Sequence, residues 1–314
     1  MKVVMLGGAG VGKTTVMVSV YGMMSEKNQF QGFHVRSTTQ RVHDELARAY
    51  REFQTYGRYP ASTVRMDSYD YEFSVDGNKC MKFTLIDIRG ETIEDYDNQN
   101  LLKELSEADV VMVFFNGYDI INDVDLEETY FDLFSLINSS FETNGKKRML
   151  MPVITQMDRV LPFSDAILEK IVEFTKPMKN MADKNVRLDY QVVPTACSQN
   201  CMMDLDFLMV KLMQFGYEQE VQVLVDGLNK ELADIKKQYG DGILNGIVDV
   251  IGLNFRRDAA RKRAKEIQPV IDHYNETIVP IYEKMVDFLN DYKLGSYVAL
   301  PHRESSLEEN IWDL

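Results

Sequence analysis

The sequence predicts an α/β domain with a mostly parallel central sheet flanked by helices, followed by a helical C-terminal region. Three observations carry this expectation. Apolar runs of strand length recur at Val3-Val4-Met5-Leu6, at Val110–Phe115 and at Met149–Ile154, and stretches with helical spacing separate them. The first run opens directly into Gly7-Gly8-Ala9-Gly10-Val11-Gly12-Lys13-Thr14, the phosphate-binding (Walker A) pattern G-x-x-x-x-G-K-[ST], placed where a strand gives way to a helix. After Asp204 the strand signals stop, and helical patterns run on to about Asp291 apart from Pro269 and Pro280. Strands alternating with helices call for right-handed crossovers and for ligand contacts at the carboxyl ends of the strands. The boundary expected from these patterns divides residues 1–215 from a helical extension, 216–314.

Taken in order, a helix follows the glycine loop to about Met24, then a polar segment holds Gly32 and Ser37-Thr38-Thr39. Thr39–Phe53 reads as an inserted amphipathic helix, with Val42, Leu46, Ala49 and Phe53 at helical spacing, and Gly57 and Pro60 end it. Tyr69–Val75 alternates like a strand, Asp76-Gly77 signals a hairpin, and Cys80–Ile88 is the returning strand. An acidic helical stretch comes next, then helices near Leu126–Phe141 and Ser164–Met178 between the later apolar runs, the last of which is Tyr190–Val193. Leu205 to about Tyr239 reads as a long helix interrupted near Gly216.

Composition narrows the function. The 314 residues are 45% hydrophobic and 27% charged, which suits a soluble globular chain, and no apolar run is long enough to cross a bilayer as a helix. A formal net charge of −14 argues against a nucleic-acid platform, which needs clustered Lys and Arg. The glycine loop lies so close to Met1 that no signal or transit peptide is expected before it. Cytoplasmic location follows, with Cys80, Cys197 and Cys201 as reduced thiols. Cys197 and Cys201 lack the spacing of a zinc site, and the four histidines are scattered.

The glycine loop carries the clearest chemistry. Its backbone can curl so that successive N–H groups line a concavity completed by a helix N-terminus, an anion seat for phosphates. Gly7, Ala9, Gly10, Val11, Gly12, Lys13, Thr14 and Thr15 form this seat, with Lys13 directed to the terminal phosphates and the Thr14 hydroxyl offered to Mg²⁺. Asp87 ends the apolar strand Phe83-Thr84-Leu85-Ile86, where a second carboxylate completes a Mg²⁺ shell, and Gly90 permits close approach of its N–H to a phosphate.

This order of parts resembles the Ras-like P-loop GTPases over roughly the first two thirds of the chain. The resemblance implies a P-loop NTPase fold (G domain) that binds GTP or GDP with Mg²⁺ and hydrolyses GTP. It also implies a switch threonine that ligates Mg²⁺, for which Thr63 stands in place and Ser62 is a close rival. The base-recognition motif N/T-K-x-D corresponds to Thr155-Gln156-Met157-Asp158, with Asp158 accepting from guanine N1 and N2; an ordinary helix cap by Asp158 is the alternative. The last motif corresponds to Thr195-Ala196-Cys197, with the Ala196 N–H facing the guanine carbonyl.

Two departures stand out. Gln156 replaces the lysine whose stem packs on the base, and Glu91 occupies the place of the glutamine that orients attacking water. A carboxylate at Glu91 lacks the amide donor and sets negative charge where negative charge develops, so slow hydrolysis is expected. Arg58 or Arg89 would supply compensating charge in cis; a solvated arginine is the alternative for each. A switch that hydrolyses GTP slowly and signals its state to a protein effector or activating protein is therefore the leading reading. Its rivals are an ATP-dependent ATPase or phosphotransferase, favoured by Gln156, and a nucleotide-bound docking module without turnover, favoured by Glu91.

In the extension, Ile243, Leu244, Ile247, Val248, Ile251 and Phe255 share a helical face, and Arg256, Arg257, Arg261, Lys262, Arg263 and Lys265 follow. An apolar face beside a basic block suits an anionic membrane surface or an acidic partner, and equally a core helix with a solvated basic face. If residues 242–265 dock on lipid, the full chain will sediment with anionic vesicles and a variant neutralised across Arg256–Lys265 will not. Equal sedimentation of both would reject membrane docking by this block.

Overall fold

A computed structural model describes residues 1–25, 31–60, 67–88, 99–124, 126–141, 145–239, 269–270, 272–295 and 297–299. Thr63 and its rival Ser62, together with Arg89, Gly90, Glu91 and the whole of 242–265, lie outside the described residues.

The main sheet has eight strands: β1 (Lys2–Leu6), β2 (Phe33–Ser37), β3 (Asp67–Val75), β4 (Asn78–Asp87), β5 (Val110–Asn116), β6 (Arg148–Thr155), β7 (Leu188–Tyr190) and β8 (Val193–Pro194). Their order is β2-β3-β4-β1-β5-β6-β7, with β8 also on β6. β1 runs parallel to both β4 and β5, and β6 parallel to β5, β7 and β8; β3 runs antiparallel to both its neighbours, β2 and β4. The chain places β4 on one side of β1 and then β5 on the other, so the order reverses at β1 and a crevice opens beyond the strand ends there.

β1, β5 and β6 are buried on both faces, which is why they read as continuous apolar runs. Val4, Leu6, Val111, Val113, Phe115, Leu150 and Ile154 pack in one cluster with residues of α3 (Gln99–Glu107), α5 (Glu127–Phe141) and α6 (Asp165–Asp183). The alternate residues Val3, Met5, Met112, Phe114, Met151 and Val153 are equally buried. The helix α1 (Lys13–Ser25) follows the glycine loop, and α2 (Gln40–Tyr56) is the inserted helix, packed against α1. The hairpin turn has the expected paired positive angles, φ 49° at Asp76 and 80° at Gly77.

Several expectations need correction. The polar segment before Thr39 contains the edge strand β2, in which Phe33, Val35 and Ser37 point inward and His34 and Arg36 do not. Its period of two was present, but two apolar residues in five are too few to read without the partner strand. A short helix, α4 (Gly117–Ile121), follows β5 directly. The stretch Tyr190–Val193 is divided between β7 and β8. Strands do not stop at Asp204: β9 (Ala196–Ser198), β10 (Cys201–Met203) and the late β11 (Tyr297–Ala299) form a separate antiparallel sheet ordered β11-β10-β9. Three-residue strands carry too little periodicity to be seen in sequence. Finally, α7 (Leu205–Tyr239) runs unbroken through Gly216. A mid-helix glycine costs about 1 kcal/mol, which burial of the flanking Phe215 and Tyr217 offsets.

The chain divides into two compact units, one of Met1–Met209 with Lys293–Leu314 and the other of Val210–Tyr292. The second holds the rest of α7, a π-helical turn Tyr274–Ile278 and α8 (Val279–Asp291), whose Pro280 sits in its first turn and whose Ile281 and Met285 are buried. Gln214 Nε2 donates to Tyr282 Oη at 3.3 Å within this unit. No described helix is long and apolar enough to cross a membrane.

One buried cation braces the first unit. The Arg148 guanidinium, at the start of β6, donates to Ser140 O at 3.2 Å and to Ser106 O, and lies 5.0 Å from the Phe141 ring centre. It thereby caps the carboxyl ends of α5 and α3, where the last carbonyls and the helix dipoles want a positive charge. Arg148→Met keeps volume but strips both carbonyls of their donor, so we expect a loss of about 2–4 kcal/mol, read as a lower urea midpoint at unchanged slope.

Candidate functional site: a phosphate loop tied to neighbouring strand ends

The loop 7–12 leaves the fully buried Leu6 and enters α1 at Lys13. Gly7 passes so close to β5 that an added Cβ would stand 2.7 Å from Phe114 O, and Gly10 has φ 75°, so neither position takes an ordinary side chain without strain. Ala9 is exposed, Val11 and Gly12 are half-buried, and Val16 N donates to Gly12 O at 2.9 Å to begin the helix. Thr14 and Thr15 sit, half-buried, in its first turn. Lys13 Nζ curls back over the loop and donates to Gly7 O at 2.6 Å and Gly8 O at 3.0 Å. Burial lowers its pKa, and the carboxylate of Asp87 acts against that.

Asp87, with no exposed surface, ends β4 in register with Met5 of β1. The Thr14 hydroxyl donates to its Oδ2 at 3.2 Å. Two hard oxygens from separate elements meeting beside a lysine suit Mg²⁺, which takes a few protein oxygens and completes its shell with phosphate and water. Among the described residues no group of three or more His, Cys, Asp or Glu could cage a metal.

The end of β6 reaches the same loop, and Thr195, after β8, bonds to the turn that follows β6. The Thr155 hydroxyl lies 2.5 Å from Val11 O and 3.0 Å from Phe115 O, and Gln156 Nε2 donates to Gly10 O at 3.2 Å. Gln156 has φ 57°, and this left-handed residue turns the chain into a single 3₁₀ turn, Met157–Arg159, that carries Asp158. Met157 N donates to Thr195 O at 3.2 Å and Thr195 N to Ile154 O at 2.6 Å, which joins the loops of Thr155–Asp158 and Thr195–Cys197. Burial raises the Asp158 carboxyl above the usual aspartate range, opposed by its own backbone N–H, Arg159 and Ser198. Burial also pushes the Cys197 thiol far up, so it stays protonated and unreactive.

Lys13, Thr14, Asp87, Thr155 and Gln156 are thus joined by hydrogen bonds to the loop or to one another, and Asp158, Thr195, Ala196 and Cys197 stand on the adjoining turns. Arg58 is exposed beyond α2, its guanidinium 5.3 Å from the Tyr56 ring centre. Four neighbours went unread in the sequence. Ser198 bonds Asp158, burial and the nearby Asp158 carboxylate raise the pKa of the Tyr59 hydroxyl, and Arg159 donates to Gln156 while lying over Tyr118. Tyr118 alone had a usable signal, since it follows the end of a central strand.

The family model described as Double-GTPase 2 matches residues 2–195, more than half of the chain. This chain belongs to the Double-GTPase 2 family. No curated protein matches it. Among solved structures it is similar to the signal recognition particle receptor SRb-GTP/SRX complex from Chaetomium thermophilum, at 14% identity over 62% of this chain and 90% of that one, with TM-score 0.40. It is similar also to the Arl6 BBS3 small GTPase from Trypanosoma brucei with bound GppNp, at 14% identity over 62% and 86% with TM-score 0.37. A third is a GTP-binding protein from Sulfolobus solfataricus in complex with GDP, at 16% identity over 69% and 52% with TM-score 0.37. At those scores the neighbours add no weight to the assignment, which rests on the Double-GTPase 2 match and on a sheet order that puts the phosphate loop at the reversal point.

In this Double-GTPase 2 chain the half-buried Asp158 is expected to be a burden without ligand. Its raised pKa means that folding disfavours the ionised form, so the penalty is full above the folded-state pKa and vanishes below the ordinary value of 3.8. Asp158→Asn should therefore raise the melting temperature of the nucleotide-free protein at pH 7, by a margin that shrinks as pH falls toward 4.

Proposed function

We propose that this chain is a guanine-nucleotide-binding switch that hydrolyses GTP slowly with Mg²⁺. The observation that carries the proposal is the attachment of the Thr155–Asp158 turn to the phosphate loop through Val11 O and Gly10 O, which supports a reading in which Asp158 recognises the base of a nucleotide whose phosphates lie in that loop. Membership in a GTPase family supports the same reading. In it, Lys13 and the loop amides hold the phosphates, Thr14 and Asp87 hold Mg²⁺, and Asp158 accepts from guanine N1 and N2 while the Ala196 N–H meets the guanine carbonyl. Thr63 and Gly90 engage the third phosphate, and hydrolysis releases them, so that a partner protein senses which nucleotide is bound. Glu91 is the reason for slow turnover, since a carboxylate there opposes the charge that develops on the phosphoryl oxygens. Arg58 would supply positive charge if it swings from Tyr56 toward the phosphates. The protein acts in the cytoplasm, with 242–265 as a peripheral membrane contact.

With Mg²⁺ present, GTP and GDP should displace a fluorescent guanine nucleotide while ATP does not; displacement by ATP alone would overturn the base assignment. Lys13→Ala should abolish binding. Asp158→Asn should shift preference toward xanthine nucleotides, whose extra carbonyl accepts the new amide. A second reading, a nucleotide-bound docking module without turnover, is favoured by Glu91, and phosphate release in single-turnover assays, with or without an added partner, would count against it.

A further inference from the structure

The carbonyls of Gly10 and Val11 are consecutive in the phosphate loop, and both are held from the end of β6, by Gln156 and Thr155 respectively. In a trans peptide the C=O and the following N–H point to opposite sides. Fixing these two carbonyls toward β6 therefore turns the N–H groups of Val11 and Gly12 the other way. The orientation of two successive loop amides is thus set by side chains outside the loop.

Thr155 needs no help in this, because a hydroxyl rotates freely. Gln156 does, because only one end of its amide can donate to a carbonyl. Its Oε1 accepts from Arg159 Nη1 at 2.8 Å, and the Arg159 guanidinium lies over Tyr118, 4.0 Å from the ring centre. A guanidinium can only donate and a carbonyl can only accept, so with Arg159 on one side and Gly10 on the other the amide has a single admissible orientation. Tyr118 is in turn seated by Asn116, whose Oδ1 accepts from Tyr118 N at 3.0 Å and whose Nδ2 donates to Asp119 Oδ2 at 2.7 Å.

We propose that Arg159, seated on Tyr118, is a positioning residue of the nucleotide site, locking the Gln156 amide so that it holds the Gly10 carbonyl and aims the loop amides at the phosphates. The proposal rests on the guanine-nucleotide reading above. It also explains how glutamine works where Ras-like chains have lysine. An ammonium donates in every direction and needs no orienting partner, whereas a flipped glutamine would set oxygen against oxygen at Gly10.

The test is the release rate of a fluorescent GDP from the full chain with Mg²⁺, measured for Arg159→Ala and Tyr118→Leu in the native and in the Gln156→Lys background. In the native background Arg159→Ala should speed release about 3- to 10-fold, the net worth of one exposed hydrogen bond, and Tyr118→Leu should act in the same direction. In the Gln156→Lys background Arg159→Ala should speed release markedly less, since the lysine reaches Gly10 unaided and only the charge beside Asp158 is lost. No acceleration by either variant, equal acceleration in both backgrounds, or loss of GDP from Gln156→Lys would each overturn the proposal. Absence of fluorescent GDP binding by the unmodified chain would instead reject the guanine-nucleotide reading.

Discussion

The bond between the Thr155 hydroxyl and the Val11 carbonyl joins a strand end to a loop 144 residues earlier, and the rest of the site depends on joints of this kind. A loop rich in glycine has little shape of its own, because its residues give up more backbone freedom on ordering than any others. Here the order is supplied from outside. Phe114 of β5 presses on Gly7, Thr155 at the end of β6 and Gln156 just after it take two carbonyls, and Lys13 folds back onto two more. The groups from β5 and β6 are fixed because those strands are buried on both faces and locked in parallel register. The site is accurate to the extent that the core is.

Electrostatics add a second layer. The Lys13 ammonium is drawn to the loop carbonyls and toward Asp87, and Asp87 lies fully buried with Thr14 donating to it. A buried carboxylate next to a hydroxyl and an ammonium is partly compensated, and an arriving divalent cation would take over that compensation from the lysine, freeing the ammonium for phosphate. The same trade does not arise at Asp158, which relies on its own backbone, Ser198 and Arg159 and remains desolvated.

Much of this was readable in advance, for a physical reason. Strands buried on both faces must be apolar throughout, so β1, β5 and β6 announced themselves, and the residues ending them fell where side chains of the site stand. Thr14, Asp87 and Thr155 could be assigned that way because strand-to-helix turns place them almost independently of the remaining fold. What sequence could not show was pairing. β2 became a strand only because β3 offered it an edge, and Gly216 stayed helical because Phe215 and Tyr217 are buried. Arg159 and Tyr118 are ordinary surface residues until the turn at Gln156 and the start of α4 bring them face to face. A cation over a ring leaves no periodicity to find.

The small sheet β9-β10-β11 has a consequence for how the protein is made. β9 carries Ala196 and Cys197, and the strand that finishes its sheet arrives about a hundred residues later, where Gly295 N donates to Asp204 Oδ2 at 2.7 Å just ahead of β11. A ribosome that has synthesised every motif of the pocket has not yet delivered the segment that closes the edge of β10. The nascent chain therefore carries an open strand edge beside Ala196 and Cys197 while about a hundred further residues are made, and that edge is covered only when Tyr297–Ala299 returns to pair with β10.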